Sequence, residues 1–402
     1  MPLVTDDLMA PDVMTDPHSY YRQMRELDPV FFNERWGGWM LTGYDDVVQV
    51  LRDPDGFSSD RMRFLARELS EADRQRFAPI FDVLSQWIVF RDPPDHTRLR
   101  IVLNKAFTPK AVERYRPRVR AIVGDLLGEI EGKGRMDVVR DFAYLVPLTV
   151  ILGLMGAPDL DRDLIKQWSE QLGVFFFLRA DEPRRREIAC EGVTSLVEYL
   201  TPIVEEKRAH PADDLLTALV AAQERGELSE QEVIATCVLL LFGGHETTMN
   251  LIANGTLALA RHPEEWERLK QQPALIESAV EELLRYDGPV KATVRWVKHD
   301  VTVGGKTLRD GDRALVVLSA ANRDPQQFTD PDRLELTRSP NPHVAFAHGI
   351  HVCLGASLAR MEAQEAFLGL TQRLPVPVVA TDELEYHPAV VSRALKALPV
   401  EF

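Results

Sequence analysis

The sequence predicts a mainly α-helical protein with a minor β-sheet region, and three observations carry that expectation. Apolar residues recur at helical spacing over long stretches of the chain. Strand-like runs are few and short. The alternating strand and helix rhythm of a dinucleotide fold is absent, as is a Gly-rich phosphate loop.

The helical segments expected from spacing are 17–27, 44–52, 110–131, 141–156, 159–173, 184–208, 213–224, 229–260, 263–271, 273–286 and 355–373. Ser229-Glu230-Gln231-Glu232 forms a capping box at the start of the longest. Pro263 and Pro273 suit a first helical turn. Residues 30–32 and 39–42 flank Gly37-Gly38 and read as a hairpin, with further strands at 301–303 and 314–318.

Composition narrows the function. The 402 residues are 45% apolar and 27% charged, which supplies a large core and argues against disorder. No linker or repeat divides the chain, so residues 1–402 read as one domain with no fused reductase. The net charge of −15 excludes general nucleic-acid binding unless a local basic patch exists. Cys190, Cys237 and Cys353 are too few and too scattered for a disulfide framework and fit a reducing cytoplasm. The acidic first twelve residues do not resemble a leader. The longest apolar run, 233–242, is too short to span a bilayer, which takes about 20 residues.

Chemistry concentrates in four segments. In Phe346-Ala347-His348-Gly349-Ile350-His351-Val352-Cys353-Leu354-Gly355, a cysteine stands between glycines just before a predicted helix. The glycines allow close backbone approach, and a helix N-terminus favours thiolate, the ligating form. One thiolate does not make a structural zinc site or an iron–sulfur cluster, but it suits a haem iron. A lone cysteine can equally be an inert buried thiol; the full spacing Phe-x-x-Gly-x-x-x-Cys-x-Gly favours the ligand. This segment resembles the haem-binding loop of the cytochrome P450 family, the haem-thiolate monooxygenases.

The other segments extend the resemblance over nearly the whole chain. Glu282-Leu283-Leu284-Arg285 places Glu282 and Arg285 on one helix face, by itself an ordinary ion pair. It resembles the family's Glu-x-x-Arg motif, which implies a triad completed by a second arginine, here matched to Arg333. Leu239 to Thr248 carries two glycines inside an apolar helix, at roughly 1 kcal/mol each. They mark either a helix crossing or room for a ligand. The block resembles the oxygen-binding helix, which implies Gly243 beside the haem and Glu246 and Thr247 as the proton-delivering pair. Asp92-Pro93-Pro94-Asp95-His96 opens a helix on which His96 and Arg100 share a face. The resemblance implies that His96, Arg100, Arg295 and His351 hold the haem propionates and that Phe346 and Gly355 flank the Cys353 ligand. Ala347, where many members carry Gly, and Leu334, where Phe is common, depart from the pattern as conservative changes.

The resemblance further implies a single large domain, with haem b between a long central helix and the cysteine loop. O2 is the co-substrate, and NAD(P)H serves indirectly through a separate reductase and ferredoxin. A peroxide-driven peroxygenase and a haem-thiolate ligand sensor are the alternative readings. The implied substrate pocket draws on Trp87, Ile88, Phe90, Phe176, Leu240, Gly243, Val290, Val294 and Val391, with Phe81, Phe175 and Phe177 nearby. These are apolar or small, so the expected substrate is a small apolar molecule: a terpenoid, steroid, fatty acid or macrolide. Arg61, Arg63 and Arg179 either read a carboxylate or are solvated. The charge count hides one local reversal: between Arg98 and Arg120 eight basic residues face one acidic residue. That segment is expected to receive an acidic ferredoxin on a monomeric protein, with no nucleic acid and no membrane.

Overall fold

The computed structural model describes residues 6–157, 161–176 and 184–402. Of the elements used below, the first are the hairpin strands β1 (Val30–Asn33) and β2 (Gly38–Leu41), followed by β3 (Phe57–Ser58). The helices that matter for the site are α1 (Asp95–Ala106), α2 (Arg116–Ile130), α3 (Leu145–Met155), α4 (Arg162–Phe176), α5 (Arg185–Ala209) and α6 (Glu230–Arg261). Helix α7 (Ile276–Asp287), strands β4 (Thr293–Val297) and β5 (Arg313–Val316) and helix α8 (Ala356–Arg373) complete the set. The expected 110–131 helix is split into Pro109–Glu113 and α2. Pro117 explains the break: it lacks an amide hydrogen and sits in the first turn of α2, where none is needed. Three short helices, Arg61–Arg67, Glu71–Arg76 and Ala78–Leu84, and strand β4 were not expected from spacing.

Packing divides the chain into two compact units. The first comprises residues 1–57, 112–146 and 247–402; the second comprises 58–111 and 147–246. Helix α6 begins in the second and ends in the first.

The first unit holds the larger sheet, in the order β1-β2-β5-β4 with β3 at the outer edge. Strands β1 and β2 pair antiparallel through Asn33 and Gly38, the hairpin that Gly37 permits at φ +70°. Strand β2 then pairs parallel with β5, and β5 antiparallel with β4. Helices α2 and α8 pack closely because residue 369 is glycine: a Cβ there would meet Val123 at 2.5 Å and Leu127 at 2.9 Å. Above that contact, Glu365 accepts from Arg116 Nη1 at 2.9 Å and from Arg120 Nε at 2.8 Å. The core beneath gathers Val123, Leu127, Leu251, Leu283 and Phe367, all under 5% exposed.

In the second unit α4 and α5 lie side by side. Gly192 of α5 has no room for a Cβ, which would come within 2.7 Å of the Trp168 carbonyl. The capping box opens α6 as expected: Glu232 N donates to Ser229 Oγ at 3.1 Å, and Ser229 N to Glu232 Oε2 at 2.8 Å. Glu232 also holds Arg98 of α1, whose Nη1 donates at 3.2 Å. No described helix is long and apolar enough to cross a membrane.

Candidate active site

The cysteine loop is shaped by backbone constraints. Cys353 N donates to the Phe346 carbonyl at 3.0 Å, closing the loop on itself. Gly349 sits at φ +71°, and a Cβ there would collide with the Leu51 carbonyl, so two independent reasons demand glycine. Ala347 also lies in the left-handed region, at φ +59°. The expectation that this departure from Gly is a neutral change is therefore corrected: a Cβ in that region costs about 1 kcal/mol. His351 closes the short helix Gly349–His351, and Gly355 caps α8 with a Cβ direction that meets nothing within 4 Å.

Phe346 is pinned by charge. The Arg360 guanidinium lies 4.5 Å from its ring centre and pairs with Glu281 at 2.6 Å, while His343 Nε2 meets Glu281 at 3.0 Å. Burial alone would raise the Glu281 pKa, but Arg360 and His343 hold it well below the usual carboxylate range. Spacing gave no warning of Glu281 or Arg360; the signal lay in Glu281 directly preceding the recognised glutamate.

The neighbouring network corrects one expectation. Glu282 and Arg285 pair as expected, Nε to Oε2 at 2.7 Å and Nη2 to Oε1 at 2.8 Å, both side chains fully buried. The third side chain is Arg338, not Arg333. Arg338 Nε donates to both Glu282 oxygens at 3.1 Å, and Asn341 Nδ2 and Glu335 N add bonds at 3.2 and 3.0 Å. Arg333 is exposed and contributes only its carbonyl, which accepts from Arg285 at 3.1 Å and from Arg338 at 3.2 Å. The chain turns after Asp330, at φ 46°, so the arginine five positions after Arg333 reaches the carboxylate. Arg285 is satisfied on every side, donating also to the carbonyls of Asn322 and Pro331 at 3.0 and 2.7 Å. The side chain of Asn322 in turn fixes Val344 N at 2.7 Å, at the threshold of the cysteine loop.

On α6 the two glycines separate into two roles. A Cβ on Gly244 would press on Ile151 of α3 at 3.2 Å, so Gly244 serves helix packing. A Cβ on Gly243 would meet only Leu239 of its own helix, at 3.8 Å, so packing does not demand glycine there. Directly after Gly244, His245 is buried and its Nδ1 donates to the Leu241 carbonyl at 2.5 Å; burial lowers its pKa to about 4, leaving it neutral. Glu246 is raised from 4.5 to about 8, first by burial and then by the charge of Glu170. Thr247 is exposed although its neighbours His245 and Thr248 are buried. A carboxyl that keeps its proton at neutral pH thus directly precedes an exposed threonine in the chain.

The remaining expected residues fall into their two units. In the second, His96 is buried and Arg100 half-buried on one face of α1. Trp87, Phe90 and Phe176 are brought together with Phe242: Trp87 stacks on Phe176 at 5.2 Å and on Phe90 at 6.0 Å, and Phe176 lies 5.1 Å from Phe242. Ile88 and Leu240 are buried. Phe177 and Arg179 lie outside the described residues. In the first unit, Arg295 is buried on β4 and donates to Thr293 Oγ1 at 3.0 Å and the Val294 carbonyl at 2.9 Å. Val290, Val294 and Val391 are half-buried; the Val391 carbonyl accepts from Lys291 N at 2.8 Å beside the Val290–Ser392 bridge.

These residues fit a haem. Among the described residues no group of three His, Cys, Asp or Glu side chains could hold a metal ion. Cys353 is the exposed thiol; Cys237 is buried, its pKa pushed up to about 12 by desolvation, and Cys190 is raised by burial too. A Cβ at Gly355 would meet nothing within 4 Å, and one at Gly243 would meet only Leu239 of its own helix, at ordinary contact distance.

Charge on the 98–120 segment is less open than its composition suggests. Arg98 is taken by Glu232, Lys105 meets Glu227 at 3.4 Å, and Arg116 and Arg120 share Glu365. The expected basic face is thereby reduced. Lys110, Arg114 and Arg118 are exposed.

Comparison with known proteins identifies the family. The model of the family described as Cytochrome P450 matches residues 17–274 and 265–386. The "Biotin biosynthesis cytochrome P450" of Bacillus subtilis is 37% identical over 99% of both chains, and "Cytochrome P450 107B1" of Saccharopolyspora erythraea is 41% identical over 99% of this chain and 97% of its own. The solved structure of P450BioI in complex with hexadec-9Z-enoic acid ligated acyl carrier protein superposes with a TM-score of 0.90 at 37% identity, over 97% of this chain and 99% of that one. Members of this family are monooxygenases that carry haem b, use O2 and take reducing equivalents through redox partners. By sequence, fold and curated relatives alike, this chain belongs to the cytochrome P450 family and is a cytochrome P450 monooxygenase.

Proposed function

We propose that the chain acts as one haem-thiolate domain that hydroxylates or epoxidises a small apolar molecule, with Cys353 as the axial ligand of haem b. The observation that carries this is the exposed Cys353 on a loop closed by its own backbone and steadied by Phe346, Arg360 and Glu281. Haem, when bound, supplies the activation of O2 and the oxidation of the substrate. His96, Arg100, Arg295 and His351 hold its propionates as charge-assisted donors. Gly243 leaves room on α6 for its distal face. Glu246 holds a proton at neutral pH, and the Thr247 hydroxyl passes it toward the reacting oxygen. Trp87, Ile88, Phe90, Phe176, Leu240, Val290, Val294 and Val391 line the substrate's place, excluding water. Electrons arrive from a separate ferredoxin-type donor steered to Arg114 and Arg118, in the cytoplasm.

The test is an absorbance spectrum of the reduced, carbon monoxide-bound protein. A strongly red-shifted Soret band that Cys353→Ala abolishes is the expected result. A band that survives the substitution defeats the assignment, and turnover sustained by peroxide alone, with no gain from a donor, favours a peroxygenase.

A further inference from the structure

Arg61 presents an unusual arrangement. It opens the helix Arg61–Arg67, yet it is only 8% exposed. Among the described residues no carboxylate pairs with it. Asp60, its sequence neighbour, instead caps the helix by accepting from Arg63 N at 3.0 Å, and nearby Glu187 is engaged by Arg76 at 3.1 Å. The charged group that acts on Arg61 is another cation, Arg185, and with burial this lowers its pKa to about 10, leaving it charged. Its guanidinium lies 5.7 Å from the Phe175 ring centre and 5.8 Å from that of Phe176.

A desolvated guanidinium with no counter-ion among the described residues is costly unless something supplies one. Arg61 lines a cavity together with Arg185, Arg186, Leu65, Leu69 and Phe175. Three arginines and four apolar side chains, Phe81 among them, thus share one cavity lining. Phe176, which Arg61 touches, also stacks on Trp87 and Phe90 and meets Phe242, one residue before Gly243. An aromatic path thus runs, within a single unit, from the arginines to the open glycine of α6. Arg63, by contrast, is exposed and has no such setting.

The geometry points to a specificity site: Arg61, supported by Arg185 and Arg186, binds the carboxylate of an amphipathic acid whose apolar chain lies along Phe176 toward Gly243. This inference rests on the reading above that the enzyme oxidises a bound apolar molecule, and it names that molecule's class. The carboxylate accepts a forked pair of charge-assisted hydrogen bonds, which a neutral head group of the same length does not replace.

Calorimetric titration of the haem-loaded protein with myristate and with 1-tetradecanol tests it. Wild type is expected to bind myristate more tightly than the alcohol. Arg61→Gln is expected to weaken myristate at least fivefold while the alcohol changes less than twofold, and Arg61→Lys to recover part of the loss. A smaller loss in Arg61→Gln, a loss shared equally by the alcohol, or no binding of either probe by wild type overturns the inference. The carbon monoxide spectrum of the same preparations keeps the two readings apart. A missing thiolate band defeats the proposed function, while a normal band with no carboxylate preference defeats only the site at Arg61.

Discussion

Glu282 and Glu246 are both glutamates on helices, one fully buried and the other half-buried, and their surroundings treat them in opposite ways. Glu282 accepts from Arg285, Arg338, Asn341 and the Glu335 amide, so its charge is matched on every side. Glu246 has burial and the like charge of Glu170 around it, so it keeps its proton. The first arrangement spends a buried ion on fixing a loop. The second leaves a carboxyl poised to give up a proton at neutral pH. The difference teaches that what a buried carboxyl does is decided by the donors turned toward it, and each side of that contrast can be broken separately.

The largest effect is expected at Glu282. Replacing Glu282 or Arg285 by Ala strands the partner's charge in the interior, a loss of about 3–5 kcal/mol. Purified Glu282→Ala is expected to hold little haem and to unfold at markedly lower denaturant; full haem occupancy at an unchanged midpoint contradicts it. Arg338→Ala is expected to cost about 1–3 kcal/mol, since it leaves part of the carboxylate unmatched. Arg333→Ala is expected to stay within about 0.5 kcal/mol, because only its backbone takes part. If Arg333 proved the costlier of the two, the revised triad would be wrong.

Next comes the proton at Glu246. Glu246→Gln is expected to lower product formation about 100-fold at pH 7. In wild type, coupled turnover is expected to fall as pH rises through about 8, where the carboxyl loses its proton. Stability follows the same sign. The folded-state value lies above the unfolded one, so stability falls as pH rises from about 4.5 to about 8 and is level beyond. Denaturant midpoints across that window should show the slope in wild type and a shallower one in the Gln variant. Parallel curves would remove Glu246 as the titrating group.

The two glycines of α6 allow a finer separation. Gly244→Ala forces a methyl against Ile151 and is expected to destabilise by about 1 kcal/mol. Gly243→Ala gains helix propensity of about 0.5–1 kcal/mol and is expected to keep or raise the melting temperature while impairing substrate binding and turnover. Equal behaviour of the two variants would dissolve the distinction. The smallest effect belongs to the surface. Arg114→Glu with Arg118→Glu is expected to slow electron delivery about tenfold at low salt and little at high salt, with Lys105→Glu weaker because Glu227 already engages it. Rates indifferent to all three would move the donor site elsewhere.

The parts of this molecule that were legible in sequence are those written in contiguous residues. The cysteine loop, the capping box, the Glu282–Arg285 spacing and the long helix each need only local pattern, and the structure has the cap and the ion pair at bonding distance. Arg338 was not legible, because which arginine reaches a carboxylate depends on how a loop turns. Spacing also did not separate Gly243 from Gly244, since Ile151 comes from another helix. The basic stretch misled for a related reason: Glu227, Glu232 and Glu365, far away in sequence, supply the charges that answer it. The short helices between 61 and 84 are each six or seven residues long, too few turns to show a helical period, and Glu71–Arg76 is polar on every face but one.

Glu232 joins two jobs in one side chain. It caps α6 through Ser229 and clasps Arg98 of α1, the helix that carries His96 and Arg100. The clasp ties the helix proposed to hold the propionates to the start of α6. If that proposal holds, the clasp bears on cofactor loading, because His96 and Arg100 are steadied by a contact made entirely within the protein. Weakening Glu232 would then be felt first as slow haem uptake during biogenesis, before any change in the finished enzyme.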